Sequence, residues 1–271
     1  MPILILLLIL IGSTEPAWAE GKNWDFQIFT GYSSAALNTL NEKKLNETSF
    51  IPPKVGGSPA IDGRPMFGFE LEWKVRPRFS LVLVTSFWEG ESTAVEQGEN
   101  TFQDFGIVPF SAVRKTRVTF NEYGLRGRYH LLQEPNRYRL FFEVGFFDQV
   151  KVTYREDYNY VFQVKDQQFL RNVLSEATSR GGYLFEWGIG GDYYLTRWLA
   201  IVLAANYRIG KATPLYYKSY RHTFLEQDAL GEAIPGSPGF PKAGDPVFVR
   251  DGILKMELTG WQATTGIRIF F

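Results

Sequence analysis

Along most of the chain, apolar and polar residues alternate one by one, in segments separated by polar connectors that contain Gly and Pro. Successive side chains of a β-strand point to opposite faces, so a period of two residues predicts strands with one apolar and one polar face. In seven of these segments the apolar face carries no charged residue, although 21% of the chain is charged. Such a pattern restricts the chain to a β-sheet whose two faces meet different environments.

The order of strands and connectors predicts a closed all-β barrel. Eight strands are predicted, at about residues 23–33, 64–75, 79–88, 117–132, 138–154, 181–195, 198–210 and 251–271. Long polar connectors follow the first, third, fifth and seventh strands, and tight turns follow the second, fourth and sixth. Antiparallel strands joined in this alternating way form an up-and-down barrel. The alternating piece Tyr158–Phe162 in the third connector either extends an existing strand or makes ten strands the alternative.

The face opposite the apolar stripes carries seven acids and six bases. Its members are Asp25, Glu70, Glu72, Lys74, Glu122, Arg126, Arg128, Arg139, Glu143, Glu186, Asp192, Arg208 and Arg268. An eight-stranded interior is only just wide enough for side chains, so the bulky apolar stripes would overfill it. The charged face is therefore predicted to point inward and the apolar face outward, which describes a transmembrane barrel. A soluble lipocalin-like carrier, with the faces reversed, is the alternative.

Two sets of residues follow from this orientation. A closed network of ion pairs in the lumen is predicted for Glu70, Glu72, Glu122, Arg126, Arg128, Glu143, Glu186, Arg208 and Arg268. Contact with lipid is predicted for Phe67, Phe69, Trp73, Phe185, Trp187 and Trp261. Tyr and Trp at the ends of the apolar stripes match the aromatic belts of membrane interfaces.

The first residues have the features of a secretory signal peptide. An apolar run from Ile3 to Ile11 is followed by turn-forming residues and by Ala17-Trp18-Ala19. Small residues in an Ala-x-Ala pattern mark a cleavage site. The expected domains are a signal peptide at 1–19, cleaved near Ala19, and a barrel at 20–271 with four long extracellular loops.

Composition excludes several kinds of chemistry. The chain has no Cys and two His, so no catalytic residue, metal site or cofactor is predicted. Lys plus Arg and Asp plus Glu both total 29, and no nucleic-acid partner is expected.

The C-terminal segment Trp261–Phe271 resembles the terminal strand of bacterial outer-membrane β-barrel proteins. It ends in an aromatic residue and has apolar residues at alternate positions before it, here Ile267, Ile269 and Phe271. The chain as a whole is similar to the small eight-stranded barrels typified by the transmembrane domain of OmpA, OmpX and OmpW. The resemblance implies the outer membrane of a Gram-negative bacterium, recognition of the terminal strand by the assembly machinery, and contact with outer-membrane lipid and lipopolysaccharide. A monomer is expected.

The expected role is non-enzymatic, with a closed lumen and loops for surface contact or binding of an external ligand. A narrow conduit for small or hydrophobic solutes is one alternative. A lipid A-modifying enzyme is another; it would use His222 near Ser219, Glu226 and Asp228. The acidic connector (Glu89, Glu91, Glu96, Glu99 and Asp104) is expected to be solvated. Arg114, Lys115 and Arg117 are candidates for contact with lipid phosphates.

Overall fold

The computed structural model describes residues 23–34, 37–45, 54–55, 58–102, 105–134, 137–224, 241–249 and 252–271. The predicted signal peptide and its cleavage site lie outside these residues. The elements are β1 (Trp24–Ser34), a π-helical segment (Thr39–Leu45), β2 (Lys54–Val55), β3 (Gly63–Arg76), β4 (Phe79–Phe102), β5 (Gly106–Glu134), β6 (Tyr138–Val164), β7 (Gln167–Ser179), β8 (Gly182–Thr196), β9 (Leu199–Ala212), β10 (Leu215–Phe224), β11 (Phe248–Val249), β12 (Gly252–Ile253) and β13 (Gly260–Phe270).

Eight strands close into a ring. Each pairs in antiparallel fashion with the next, in the order β1, β3, β4, β5, β6, β8, β9 and β13. The pairing of β1 with β13, which sets Phe26 opposite Ile269, closes the ring. The predicted fold class, a closed antiparallel up-and-down barrel of eight strands, is confirmed.

Five strands extend beyond the ring as one projecting sheet, namely β4, β5, β6, β7 and β10. Strand β6 pairs with β8 at its lower end, which lies in the ring, and with β7 at its upper end, which lies in the projecting sheet. Strand β7 in turn pairs with β10. In chain order β7 runs into β8, and β9 runs into β10, so each pair is one long strand with a kink. Thr213 joins the two kinks, because its Oγ1 accepts hydrogen bonds from the backbone N–H groups of Arg180 (3.0 Å) and Gly181 (3.1 Å).

The projecting sheet corrects the predicted loops. The second and third connectors are not long loops, because β4 to β7 continue through them as two hairpins. The piece Tyr158–Phe162 belongs to β6, so the ten-stranded alternative is wrong. These segments carry polar residues on their outer face, and that composition resembles a loop in the sequence.

The last strand is shorter than predicted. The ladder of β13 begins at Gly260 instead of residue 251. The preceding residues follow β9 and β10 instead: the backbone N–H of Ala212 donates to Met256 O (2.9 Å) and that of Leu215 to Leu254 O (3.1 Å). The side chains of Val247, Leu254 and Met256 are fully buried.

The two faces of the sheet are oriented as predicted. Glu70, Glu186 and Arg268 are inside the barrel and at most 4% exposed. On the outside, Phe67, Trp261 and Ile267 are 53%, 64% and 55% exposed. The orientation of the third predicted strand, which its sequence leaves open, also follows: Val82 and Val84 point inward and Leu83 outward. The lipocalin-like alternative required the reverse arrangement.

The interior has a charged lower layer and an apolar upper layer. The upper layer contains Phe29, Phe120, Phe147 and Trp88, together with Leu37, Leu40 and Leu45 of the π-helical segment and its flank. Inward glycines make room for the rings: a Cβ on Gly68 would lie 2.4 Å from the Phe29 ring, and one on Gly190 would lie 2.5 Å from the Phe141 ring. Segments between strands therefore fold down over the mouth and complete the core.

Candidate functional site

Two arginines on β5 form the centre of an ionic network in the lower lumen. Arg128 donates to Glu143 (Nε to Oε2, 3.0 Å), to Glu72 (Nη1 to Oε2, 2.5 Å) and to Glu70 (Nη2 to Oε2, 2.8 Å). Arg126, two residues earlier and on the same face, pairs with Glu70 and Glu186. Glu70 thus bridges the two guanidinium groups.

The network extends downward through two more arginines. Arg268 of β13 donates from Nη1 to Asp192 Oδ2 (2.9 Å) and lies 3.1 Å from Glu72 Oε2. Arg139 of β6 donates from Nε to the same Asp192 oxygen at 2.5 Å and lies 3.5 Å from Asp25 Oδ2. Lys74 Nζ, 3.0 Å from Asp25 Oδ1, ends the chain of ion pairs.

Arg208 of β9 carries the network upward. It pairs with Glu122, lies 3.7 Å from Glu186, and donates from Nη1 to Ser33 Oγ (3.2 Å). All nine residues predicted for the lumen network are therefore brought together. Four more residues belong to the observed network: Asp25, Lys74, Arg139 and Asp192. The sequence places them on the inward face, but the predicted network does not include them.

Aromatic rings support the guanidinium groups. The Arg128 guanidinium carbon is 4.2 Å from the Phe141 ring centroid, and that of Arg268 is 5.5 Å from the same ring. Phe141 is not predicted from the sequence, because the inward face is assigned there by its charged residues. The pattern of a large ring opposite Gly190 on the next strand was the available signal.

A serine, a histidine and a glutamate meet near the lower end of the barrel without forming a catalytic relay. His130 Nε2 lies 3.0 Å from Ser80 Oγ and 3.2 Å from Glu72 Oε1. A relay needs the serine hydroxyl and the orienting carboxylate on different ring nitrogens of the histidine. Here both partners contact Nε2, no described residue bonds Nδ1, and all three side chains are buried.

A second ionic cluster holds the π-helical segment at the mouth. Arg114 Nε is 2.6 Å from Glu156 Oε1, and its Nη2 donates to Lys44 O (3.1 Å). Lys44 Nζ lies 3.8 Å from Glu156, and Tyr154 donates from its hydroxyl to Glu156 (2.8 Å). Arg114 is thus buried and points inward, so its assignment to lipid phosphates is wrong. Strand parity separates it from Lys115 and Arg117, which point outward.

Electrostatics keeps this cluster charged. Burial alone would raise the pKa of Glu156, but Lys44 and Arg114 outweigh burial and lower that pKa from 4.5 to about 2. A carboxylate with a depressed pKa contributes stability above its unfolded pKa and loses it as the pH falls through the folded one. The cluster therefore stays intact from neutral pH to below pH 4.

An asparagine fixes the same segment from the other side. Asn41 accepts a hydrogen bond from the backbone N–H of Ile61 at Oδ1 (2.8 Å) and donates from Nδ2 to Asp62 Oδ1 (3.1 Å). Ile61 is fully buried against Gly90, where a Cβ would lie 2.4 Å from its methyl group. The mouth is closed by specific contacts.

The residues predicted to face lipid lie on the outer surface. Phe67, Trp73, Phe185 and Trp261 are 38–64% exposed, and Phe69 and Trp187 are partly exposed between neighbouring aromatic rings. In the terminal strand, Ile267 and Phe271 are exposed and Ile269 is partly exposed, all on the outside.

Other candidate groups are scattered. Among the described residues, no set of three His, Asp or Glu side chains is arranged to hold a metal ion. Nor does the described part contain a helix of the length and apolarity needed to cross a membrane. Glu89 and Glu91 contact Arg117, whereas Glu96 points inward. His222 and Ser219 lie three residues apart on β10 and therefore on opposite faces of the strand, and Glu226, Asp228 and Asp104 lie outside the described residues.

The chain is similar to several solved barrel structures. The N-terminal β-barrel domain of Pseudomonas aeruginosa OprF has 10% identity and a TM-score of 0.34, covering 93% of this chain and 100% of that one. The outer membrane protein OprG from the same organism has 14% identity and a TM-score of 0.37, covering 92% and 97%. The outer membrane protease OmpT from Escherichia coli has 10% identity and a TM-score of 0.37, covering 94% and 100%.

No protein-family model and no curated protein sequence matches the chain. Structural similarities at 10–14% identity, with TM-scores below 0.4, transfer no activity, ligand or partner from those proteins to this one.

We expect Arg126→Ala to lower the free energy of unfolding by about 3–5 kcal/mol, because it leaves buried carboxylates without their partner. The matched control is Arg117→Ala, which removes an exposed ion pair with Glu91 and should cost less than about 1 kcal/mol. Urea unfolding in lipid vesicles, followed by tryptophan fluorescence, measures both. Equal midpoints for the two variants would contradict the role given to the network.

We also expect Arg114→Ala to expose the π-helical segment, because the carbonyl of Lys44 loses its donor and Glu156 loses its closest cation. Cleavage after Lys44 by the lysine-specific protease Lys-C should become roughly 10- to 100-fold faster, as expected from losing one or two charge-assisted hydrogen bonds. Lys218→Ala, which breaks an exposed pair with Glu176, is the control and should leave that rate unchanged. Unchanged cleavage in Arg114→Ala would refute the attachment.

Proposed function

We propose that this chain is a monomeric, non-enzymatic outer-membrane barrel with a closed lumen, and that it acts through the sheet and segments above the membrane. The observation that carries the proposal is the outer surface of the ring. This surface is a continuous apolar band without a charged residue. Each strand instead carries its charged residues above the band or on the face that points into the barrel. A covering of acyl chains accounts for so many exposed large apolar side chains around the whole ring.

The dimensions of the band fit a bilayer. On β9 the outward apolar residues run from Leu199 to Ile209, which is 11 residues. At about 3.3 Å per residue and a tilt of about 40°, they span roughly 28 Å, close to the apolar height of outer-membrane barrels.

Aromatic residues mark both edges of the band. Trp24 and Trp73 stack at the end of the barrel where β1 begins and β13 ends (5.9 Å between ring centroids). Tyr207 and Trp261 meet at the opposite end (4.9 Å). Tyr and Trp prefer the interface between acyl chains and water, so the two edges correspond to the two membrane surfaces.

The filled interior supports a role without transport. The ionic layer crosses the lower lumen from wall to wall, and the apolar layer with its covering segments fills the upper part. A pore lined by polar groups would need solvent beside them, but Arg126, Arg128 and Arg268 are at most 3% exposed. The conduit alternative would require both layers to move.

The surface above the membrane supports a contact role. The projecting sheet presents its outer face to the surroundings, with exposed Val95 and Ile107 near its tip. A shallow depression of about 500 Å³ lies there, lined mainly by uncharged residues that include Gln97, Pro109 and Gln163. Such a surface suits a protein or saccharide partner. Its partners otherwise are outer-membrane lipid and lipopolysaccharide, with the assembly machinery reading the strand that ends in Ile267, Ile269 and Phe271.

A lipid A-modifying activity is disfavoured by geometry within the described residues. His130 is enclosed in the lumen, and His222 stands on the projecting sheet rather than at the lipid rim. We therefore assign no catalytic residue and no cofactor.

Fractionation tests the location. We expect the full chain, expressed with its signal peptide in a Gram-negative host, to sediment with the outer membrane and to shift its mobility on SDS gels after boiling. A control chain lacking residues 260–271 should fail to assemble. Recovery of the complete chain in the soluble periplasm without detergent would end the membrane assignment.

Planar-bilayer recording tests the closed lumen. We expect no steady unitary current from the wild-type barrel, and none from a variant lacking residues 37–45, because the lower ionic layer still blocks the lumen. A reconstituted porin serves as the positive control. Steady single-channel steps in the wild type would support the conduit instead.

A further inference from the structure

We propose that the outer faces of β5 and β6, just above the apolar band, form a binding site for the phosphate groups of lipid A in the outer leaflet. The site consists of Arg117, Lys151 and Arg155, with the hydroxyls of Thr119 and Thr153 between them. This inference deepens the proposed function and rests on the location in the outer membrane.

The register of the two strands brings these side chains together. Arg117 lies directly opposite Arg155, and Thr119 directly opposite Thr153. Lys151, opposite Asn121, follows on the same outward face. On the outward face of the β5–β6 pair, a rung of facing arginines is therefore followed by a rung of facing threonines and then by the Asn121–Lys151 rung.

Like charges directly opposite each other in a sheet are destabilising, so the arrangement needs an anion. Arg117 has Glu91 and Glu89 on its β4 side. No carboxylate lies within 4.0 Å of Lys151 or Arg155 in the part of the chain that the structure describes, and both side chains are exposed.

The two acids that lie next to Arg155 are already engaged. Glu176, opposite Arg155 on β7, accepts a hydrogen bond from Lys218 Nζ (2.8 Å). Asp157, two residues beyond Arg155, accepts hydrogen bonds from the amides of Asn159 and Asn172, both at 2.8 Å. The rung of arginines therefore lacks an internal counter-charge on its β6 side.

The height of the site selects a lipid headgroup. Tyr123 and Phe146 are the last large outward apolar residues of β5 and β6, and the Asn121–Lys151 rung comes next along the ladder. A phosphate held there would have its acyl chains alongside these two rings. Arginine forks bind phosphate oxygens bidentately, lysine adds a point charge, and threonine hydroxyls complete the donor set.

The test measures binding of bis-phosphorylated lipid A to the purified full-length barrel in detergent. We expect K151Q/R155Q to bind roughly 30-fold more weakly than wild type, because it removes the attraction of two surface cations for the anionic headgroup. The control K242Q/K255Q removes the same number of exposed charges outside the membrane band and should bind within about twofold of wild type. A boiling-induced gel shift confirms that each variant is folded.

Further arms identify the ligand. Wild type should bind dephosphorylated lipid A no better than the double variant does, and inorganic phosphate should displace lipid A only at far higher concentration. Equal affinity of wild type and K151Q/R155Q would overturn the site. Displacement by inorganic phosphate at matching concentration would overturn the assignment to a lipid. These results come from purified protein, so they remain distinguishable from a failure of the fractionation test.

Discussion

The barrel depends on mutual neutralisation of charge inside a closed wall. An outer band without charge is available to the ring because its acids and bases alternate onto the inner face and pair there. Glu70 and Glu72 of β3 each form ion pairs with more than one guanidinium, and every arginine of the layer contacts at least two acids. Burying such groups is costly unless each is paired, so strands from opposite sides of the ring must be in place together.

Strand parity explains how much of this was accessible from the sequence. A shift of one residue exchanges the faces of a strand, so an alternating segment specifies which residues share a face, and the nine predicted lumen residues do share one. Parity also separates Arg114 from Arg117, although both were treated as one basic group. What alternation cannot supply is the pairing itself: whether Arg268 meets Asp192 or Glu186 depends on the stagger of strands far apart in the chain.

The extent of the strands was harder to predict than their faces. Beyond the ring the outer face of β4 to β7 is largely polar, so the apolar stripe that marks a strand of the ring disappears there. The only remaining signal is on the inner face, where apolar residues such as Phe110, Tyr158 and Phe162 still occupy alternate positions. Residues 252–258 resemble a full strand in the sequence for another reason: burial alternates at Leu254, Met256 and Leu258, although the segment follows β9 and β10 without a continuous ladder.

The projection of five strands on one side gives the molecule a front and a back. Strands β1, β3 and β13 end near the rim, while β4, β5, β6, β7 and β10 stand above it. A molecule diffusing in the plane of the leaflet would therefore meet the projecting sheet from one direction and only the rim of the ring from the other. A symmetric cylinder presents the same height on every side. Around this protein, the arrangement of neighbours in a crowded membrane would depend on their direction as well as on their distance.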